Sequence, residues 1–308
     1  MSRILQRLGR LFPLFGLVLN KLRYPSLRMR VGVDLSGDIT YGRGISLGNG
    51  TRFEIAPGGK LRLDDEASLS LRVHLMAGTQ DRLTIGRRVS IQDDCRIYGD
   101  VTLGAYCLLA PNVFISSGTH VFNAAPHLPI FEQERVHVLA QRHVDIGEDC
   151  WLGINVVIMP GVSIGRGCII GANSVVTSSI PPYSVAAGIP ARVIKPRLVF
   201  APPARIVANC EQDRPYFYRG FDFLSKNMPA SLQAGTDFTV ALACENARSL
   251  RLALAAGPAG HVQFGAEIRP MDIAETVLEF ALTREQSMSC LFEFSISSGR
   301  AVLWAELQ

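Results

Sequence analysis

His120, His127, His137 and His143 lie close together in the chain, and an imidazole is the side chain best suited to take or give a proton near neutral pH. A lone histidine is ordinarily just solvated, so any such chemistry depends on where the ring is held. Asp93 and Asp94 are adjacent carboxylates, and solvated corner positions are the simpler reading of both. The seven cysteines are odd in number and widely spaced, with no C-x-x-C pair. That argues against a disulfide framework and against a zinc site. No metal is expected, and a reducing compartment suits the thiols.

The element that must position these groups is a six-residue repeat. Aliphatic side chains stand at Ile85, Ile91, Ile97, Leu103, Leu109 and Ile115, and again at Ile146, Leu152, Ile158, Ile164, Ile170 and Val176. The next position is small at Gly86, Gly104, Ala110, Gly147, Gly153, Gly165 and Gly171, as a corner without room for a side chain requires. Gln92, Tyr98, Met159 and Thr177 depart from that rule. The fourth position after each aliphatic is again small and mostly apolar: Val89, Cys95, Val101, Cys107 and Val113, then Cys150, Val156, Val162, Cys168 and Ser174. Four cysteines therefore belong to an inward column, where a free thiol behaves as a small hydrophobe. A helix repeats at about 3.6 residues and a strand at about 2, so neither explains a strict six. Short strands joined by sharp corners do. Three hexapeptides close one triangular coil, and coils stack through parallel ladders about 4.8 Å apart.

Upstream, Val33, Ile39 and Ile45 keep a similar spacing, and Leu47-Gly48 and Leu63-Asp64 read as degenerate corners. Residues 31–84 are therefore expected to form irregular early coils. The 31 residues from Ile115 to Ile146 are not a multiple of six, so the segment 116–145 leaves the wall as a loop. Excursions from a rigid scaffold are where binding and catalytic residues concentrate. His120 stands where the scaffold hands over to that loop.

Residues 85–196 resemble the hexapeptide-repeat acetyltransferases, in the branch that holds maltose, galactoside and polysaccharide O-acetyltransferases. The resemblance is carried by Leu109-Ala-Pro-Asn-Val-Phe-Ile-Ser-Ser-Gly-Thr-His120, Ile146-Gly-Glu-Asp-Cys-Trp-Leu-Gly153 and Pro160-Gly-Val-Ser-Ile-Gly165. Gly171-Ala-Asn-Ser-Val-Val-Thr177 and Gly188-Ile-Pro-Ala-Arg-Val-Ile-Lys195 complete it. It implies a left-handed parallel β-helix, acetyl-CoA as acyl donor and a homotrimer. It makes His120 the general base, with His143 the reserve candidate. Gln92, with Asp93 and Asp94 as rivals, falls where the family places the residue that steadies the histidine. A backbone N–H near Trp151 to Gly153 is the expected oxyanion donor. The same resemblance lays pantetheine along a groove between subunits. It places Trp151, Gly153, Ile154, Ala172 and Thr177 there, with Ser178 where the family has a lysine. Arg192 and Lys195 fall where basic residues reach the coenzyme phosphates. Ile189 replaces the family's asparagine before Pro190, which implies fewer donor contacts.

After Pro196 the six-residue period stops, and the resemblance does not extend further. Pro202-Pro203 read as part of a linker and entry segment, 197–234. Strand-forming segments then follow at Asp237–Cys244, Ser249–Leu254, His261–Ile268, Thr276–Leu282, Cys290–Ile296 and Ala301–Leu307. They predict a small antiparallel β-sandwich over 235–308. Tyr216, Tyr218, Phe221 and Phe223 precede it and read as a buried strand edge, the other reading being an aromatic surface for glycans.

Charged residues make up 19% of the chain and the formal charge is +4, so no broad basic face for nucleic acid is expected. Residues 1–30 hold seven basic residues and no Asp or Glu. Their apolar run, Leu11 to Leu19, is broken by Pro13 and Gly16 and falls short of the ~20 residues that span a bilayer. No small-residue cleavage site follows, so the segment is read as uncleaved. It suits a short helix on an anionic membrane surface, or one docked on protein. The expected protein is thus a cytoplasmic enzyme, at the inner face of the membrane if that helix binds lipid. It would O-acetylate a saccharide of cell-envelope polysaccharide or lipopolysaccharide. The other readings are N-acetylation of an amino-sugar nucleotide, acetylation of a small hydroxylated compound, and a β-helical binding scaffold without activity. Fold alone does not separate them.

Overall fold

A computed structural model describes residues 28–29, 34–137, 142–221, 232–243, 247–256, 258–272, 274, 276–282, 291–297 and 301–308. The chain divides into two compact units between Val199 and Phe200. Most of the basic segment 1–30, and with it the expected surface helix, lies outside the described residues. Arg28–Met29 is described, and it pairs in parallel with Ser46–Leu47.

The first unit is a parallel β-solenoid in which the chain visits three sheets in turn. Face one runs from Arg28–Met29 through Leu108–Leu109, Trp151–Leu152 and Ile169–Ile170 to Ser184–Gly188. Face two runs from Asp34–Ser36 through Arg96–Tyr98 and Phe114–Ser116 to Val175–Val176. Face three runs from Asp38–Tyr41 through Val101–Leu103 and Val144–Ile146 to Ser163–Ile164. Ser90 pairs with Leu108 and Arg96 with Phe114, 18 residues on, which is three hexapeptides per coil. Earlier coils take 22 residues, as in Arg52 with His74 and Lys60 with Arg82. The extra residues lengthen strands on faces two and three, such as Arg52–Ile55 and Lys60–Leu63, from two residues to four. Adding two at a time keeps the same side chains inward. The irregular period upstream of residue 85 is therefore a wider coil.

Both repeat columns are buried, from Ile85 to Val176 and from Val89 to Ser174. The small corner residue is dictated by the next coil. A Cβ on Gly104 would sit 2.5 Å from the amide nitrogen of Glu148, and one on Gly147 would sit 2.6 Å from that of Arg166. The left-handed backbone of each corner comes two residues later, at Arg88, Tyr106, Asp149, Asn155 and Asn173.

Inside the wall the thiols donate to carbonyls, Cys95 to Ala110 at 3.2 Å and Cys168 to Pro181 at 3.0 Å. Burial pushes the Cys95 thiol up to about 11. Cys150 and Cys168 are raised further, Cys150 first by its hydrogen bond with Cys107 and then by burial, Cys168 first by its hydrogen bond with Cys150 and then by burial. Thiolate is the reactive form, so these cysteines are structural. In the folded protein, alkylation of Cys95, Cys107, Cys150 and Cys168 by iodoacetamide at pH 8 should be at least ~100-fold slower than for a free thiol. Peptide mass mapping checks this, and rapid labelling of Cys95 would contradict it.

One coil is enlarged. Leu108 pairs with Trp151, 43 positions on instead of 18, so 25 residues leave the wall between faces two and three. They are more ordered than a plain loop: Ile130–Val136 is a helix, and its Gln133 is buried. Gln133 accepts from the amide of Ala125 at 3.0 Å and donates to the carbonyls of Phe122 and Leu128 at 3.3 and 2.9 Å.

The second unit is antiparallel. Leu232–Ala241 pairs through its first residues with Ala301–Leu307 and through its later ones with Leu291–Ile296, which joins its two groups of strands. Phe238, Phe264, Phe280, Phe292 and Phe294 pack in the core, with Phe238 stacked on Phe294 at 5.1 Å. The expected strand His261–Ile268 is instead a hairpin of Gly260–Phe264 and Glu267–Met271, turned at Gly265 with φ +59. Arg205–Val207 and Arg219–Phe221, within the segment read as a linker, add strands to the unit. Phe217 and Phe221 are buried; Phe223 lies outside the described residues.

Candidate functional site

The lead-in to the loop is fixed before the chain departs. The amide of Ser117 donates to the carbonyl of Tyr98 at 3.0 Å, and its hydroxyl accepts from the amide of Asp100 at 2.8 Å. On return, the amide of Arg142 donates to the carbonyl of Ser117 at 3.1 Å. His120 stands three residues beyond Ser117 with its side chain 78% exposed. Its Nδ1 is hydrogen bonded to Oε1 of Glu134 on the loop helix. With Nδ1–H donating to that carboxylate, Nε2 keeps its lone pair, the arrangement a general base requires.

Gln92, Asp93 and Asp94 do not meet His120. They sit on the corner between faces one and two, whereas the loop leaves from the corner between faces two and three. Asp93 accepts from the hydroxyl of Ser70 and, at 3.0 Å, from the amide of Leu71. The first of those bonds, then the second, holds its carboxyl below the usual range. Asp94 pairs with Arg72 at 2.6 Å and is lowered by that guanidinium. Gln92 donates to Ser90 at 3.3 Å. Glu134 is the partner that sequence reading missed. It lies on a seven-residue helix within a segment read as plain loop. His143 contacts Asp100 at 3.2 Å, while His127 and His137 are exposed loop residues.

The residues assigned to the donor spread over the wall. Trp151 is 52% exposed on the outer side of face one, in register with Leu108 and Ile169. Gly153, Ile154 and Ala172 share the corner between faces one and two, where Asn155 donates to Asn173 at 2.9 Å. The carbonyl of Ile154 accepts from the amide of Asn173. Thr177 and Ser178 are exposed at the corner between faces two and three, on the loop's side. Arg192 and Lys195 lie on Ala191–Pro196, the antiparallel strand that closes face one, both exposed. Neither has an ion-pair partner among the described residues. The expected oxyanion donors need correction: the amides of Trp151 and Gly153 already donate to the carbonyls of Cys168 and Ile170 at 2.9 and 2.8 Å. Among the described residues, no cluster of His, Cys, Asp and Glu could hold a metal ion, and no helix is long and apolar enough to cross a membrane.

Residues 143–178 match the family model described as bacterial transferase hexapeptide (six repeats). The chain is 40% identical over 114 residues to the galactoside O-acetyltransferase of Escherichia coli K12, covering 36% of this chain and 52% of that protein. It is 33% identical over 165 residues to WbbJ of the same strain, assigned as a lipopolysaccharide biosynthesis O-acetyl transferase, covering 52% and 72%. The chain thus spans about half the length of the first relative. A hexapeptide-repeat acetyltransferase of Vibrio cholerae, solved with acetyl coenzyme A, aligns at TM-score 0.36 and 19% identity over 63% of this chain and 84% of that one.

Proposed function

The chain belongs to the hexapeptide-repeat acetyltransferases, and from that premise we propose that it moves an acetyl group from acetyl-CoA to a saccharide hydroxyl. The observation that carries this reading is the His120–Glu134 pair on a loop anchored at both ends to a rigid wall. A sugar hydroxyl is a poor nucleophile at neutral pH. Nε2 of His120 takes its proton as the oxygen bonds to the thioester carbonyl carbon. The tetrahedral intermediate then collapses with cleavage of the C–S bond, and His120 returns the proton to the departing coenzyme A sulfur. The products are an ester and free coenzyme A thiol. Glu134 orients the ring and balances the imidazolium that forms. Arg192 and Lys195 are the proposed phosphate contacts, with Trp151, Gly153, Ile154, Ala172, Thr177 and Ser178 along pantetheine.

Names such as lipopolysaccharide biosynthesis and colanic acid biosynthesis acetyltransferase among the relatives favour a cell-envelope glycan as acceptor. The test is a screen of saccharide acceptors that follows acetyl-CoA-dependent thiol release. Release that needs both acceptor and His120 supports the reading. Binding of acetyl-CoA with no release above hydrolysis for any acceptor would sink it. The basic charge of residues 1–30 fits attachment to the cytoplasmic leaflet. Sedimentation of the full chain with anionic vesicles should be strong at low salt and weak at 0.5 M, where exposed charges more than about 5 Å apart are screened. Failure to sediment at low salt would remove the membrane from the account.

A further inference from the structure

Face two carries an outward column beside the loop exit. Ser36, Glu54, Met76, Tyr98 and Ser116 are ladder partners in successive coils. With Gly118, two residues before His120, they line a groove of about 480 Å³. At about 4.8 Å per coil the column is roughly 19 Å long. The groove's volume falls within the range of small-molecule sites.

Its lining is held in place by side chains that the acetyl-transfer step does not use. Glu54 pairs with Arg52 and lies 3.4 Å from His74. The Tyr98 hydroxyl is hydrogen bonded to Nδ1 of His74 at 2.9 Å. The Tyr98 ring meets His74 and Phe114 edge-on at 5.1 and 5.6 Å. A half-buried aromatic ring beside Met76 offers a surface for the C–H face of a pyranose. Glu54, Asp81 and the Ser36 and Ser116 hydroxyls supply acceptors for sugar hydroxyls. Among the described residues, no lysine or arginine lines the groove. Arg52 and Arg96 stand on the neighbouring outward column, and Arg52 is already paired with Glu54. A polyanionic chain would meet the Glu54 carboxylate there, with the buried Asp81 carboxylate behind it, and among the described residues no lysine or arginine within the groove.

We propose that this groove binds a neutral oligosaccharide and presents its end to His120. The acceptor is then a glycan chain of roughly three or four units, judged from the length of the coil stack, and not a free monosaccharide. The proposal rests on the acetyl-transfer reading for what happens at the end of the groove, but not for binding along it.

The experiment measures binding by calorimetry and saturation-transfer NMR on the full chain. The probes are neutral tetrasaccharides and disaccharides of glucose, galactose, mannose and N-acetylglucosamine, with tetragalacturonate as the anionic control. At least one neutral tetrasaccharide should bind about tenfold tighter than its disaccharide, with tetragalacturonate weaker than both. Tyr98→Ala should weaken it by about threefold to tenfold, as loss of an aromatic contact implies. The isosteric Glu54→Gln should weaken it as well, with melting temperature unchanged. Binding should persist in His120→Ala. The proposal is overturned if no neutral tetrasaccharide binds, if chain length makes no difference, or if both groove variants bind like the wild type. Chain-length-dependent binding without acetyl transfer would leave the groove standing and remove the acetyl-transfer reading. Transfer with equal kcat/KM to mono- and tetrasaccharides would do the reverse.

Discussion

Changing His120 to alanine is expected to lower kcat by about two to four orders of magnitude, the usual contribution of a general base. The KM for acetyl-CoA should stay close to the wild-type value. The side chain is largely exposed, so its removal opens no core cavity and the melting temperature should not move. The loss belongs to the transition state, where the proton is in flight, and appears in kcat and kcat/KM together. Glu134→Gln keeps the size and helix propensity of the side chain but loses its charge. It should lower kcat by about tenfold, because a hydrogen bond to a charged partner is worth about 1.5–3 kcal/mol and a neutral one less, and both KM values should hold. Gln133→Ala is the structural contrast. It strips three hydrogen bonds from the loop, so stability and KM should suffer along with kcat. Near-normal turnover in His120→Ala would move the base to His143, which contacts the Asp100 carboxylate on the wall at 3.2 Å.

Complementation between two inactive chains is the second large effect expected. In a single subunit the proposed site residues do not converge. His120 departs at the corner between faces two and three, while Ile154 and Ala172 occupy the corner between faces one and two. Arg192 and Lys195 close face one. We propose a homotrimer with shared sites: three prisms around one axis form a closed cyclic assembly and would set the loop corner of one subunit against a different surface of the next. A His120→Ala chain and an Arg192→Ala, Lys195→Ala chain should each be nearly inactive alone. When the two are refolded together, mixed trimers should regain a substantial share of wild-type turnover, because some junctions receive both intact halves. The single mutants supply a baseline of about one per cent of wild-type turnover or less, and recovery of roughly a quarter, the chance that a randomly mixed junction receives both intact halves, stands well above it. Confirmed mixed trimers without recovery, or a fully active monomer by sedimentation, would refute the shared site.

What the sequence made legible follows from which constraints are periodic. The inward columns repeat because every coil must fill the same triangular interior, and the glycines repeat because every corner passes the next coil at the same close distance. Both can be read without a structure. The wider early coils hide the period, because two residues added to a strand change six to eight while preserving which side faces in. Glu134 was hidden for a different reason. Its helix is a single excursion, and nothing repeats in it. Asp93 and Asp94 looked like partners for His120 only in a linear alignment, since in space they belong to a corner ladder with Ser70 and Arg72. In the second unit, Gly265 inside an apparent strand was a turn, and Pro202-Pro203 concealed two strands that complete the sheet.

The most direct measurement of the central claim is the stoichiometry of transfer: thiol released from acetyl-CoA against acetyl ester found on the glycan by mass spectrometry and NMR. The account predicts one ester oxygen acetylated for each thiol released, abolished together by His120→Ala. Thiol release without acetylated glycan, or an acetyl group found on nitrogen with every hydroxyl untouched, would contradict it.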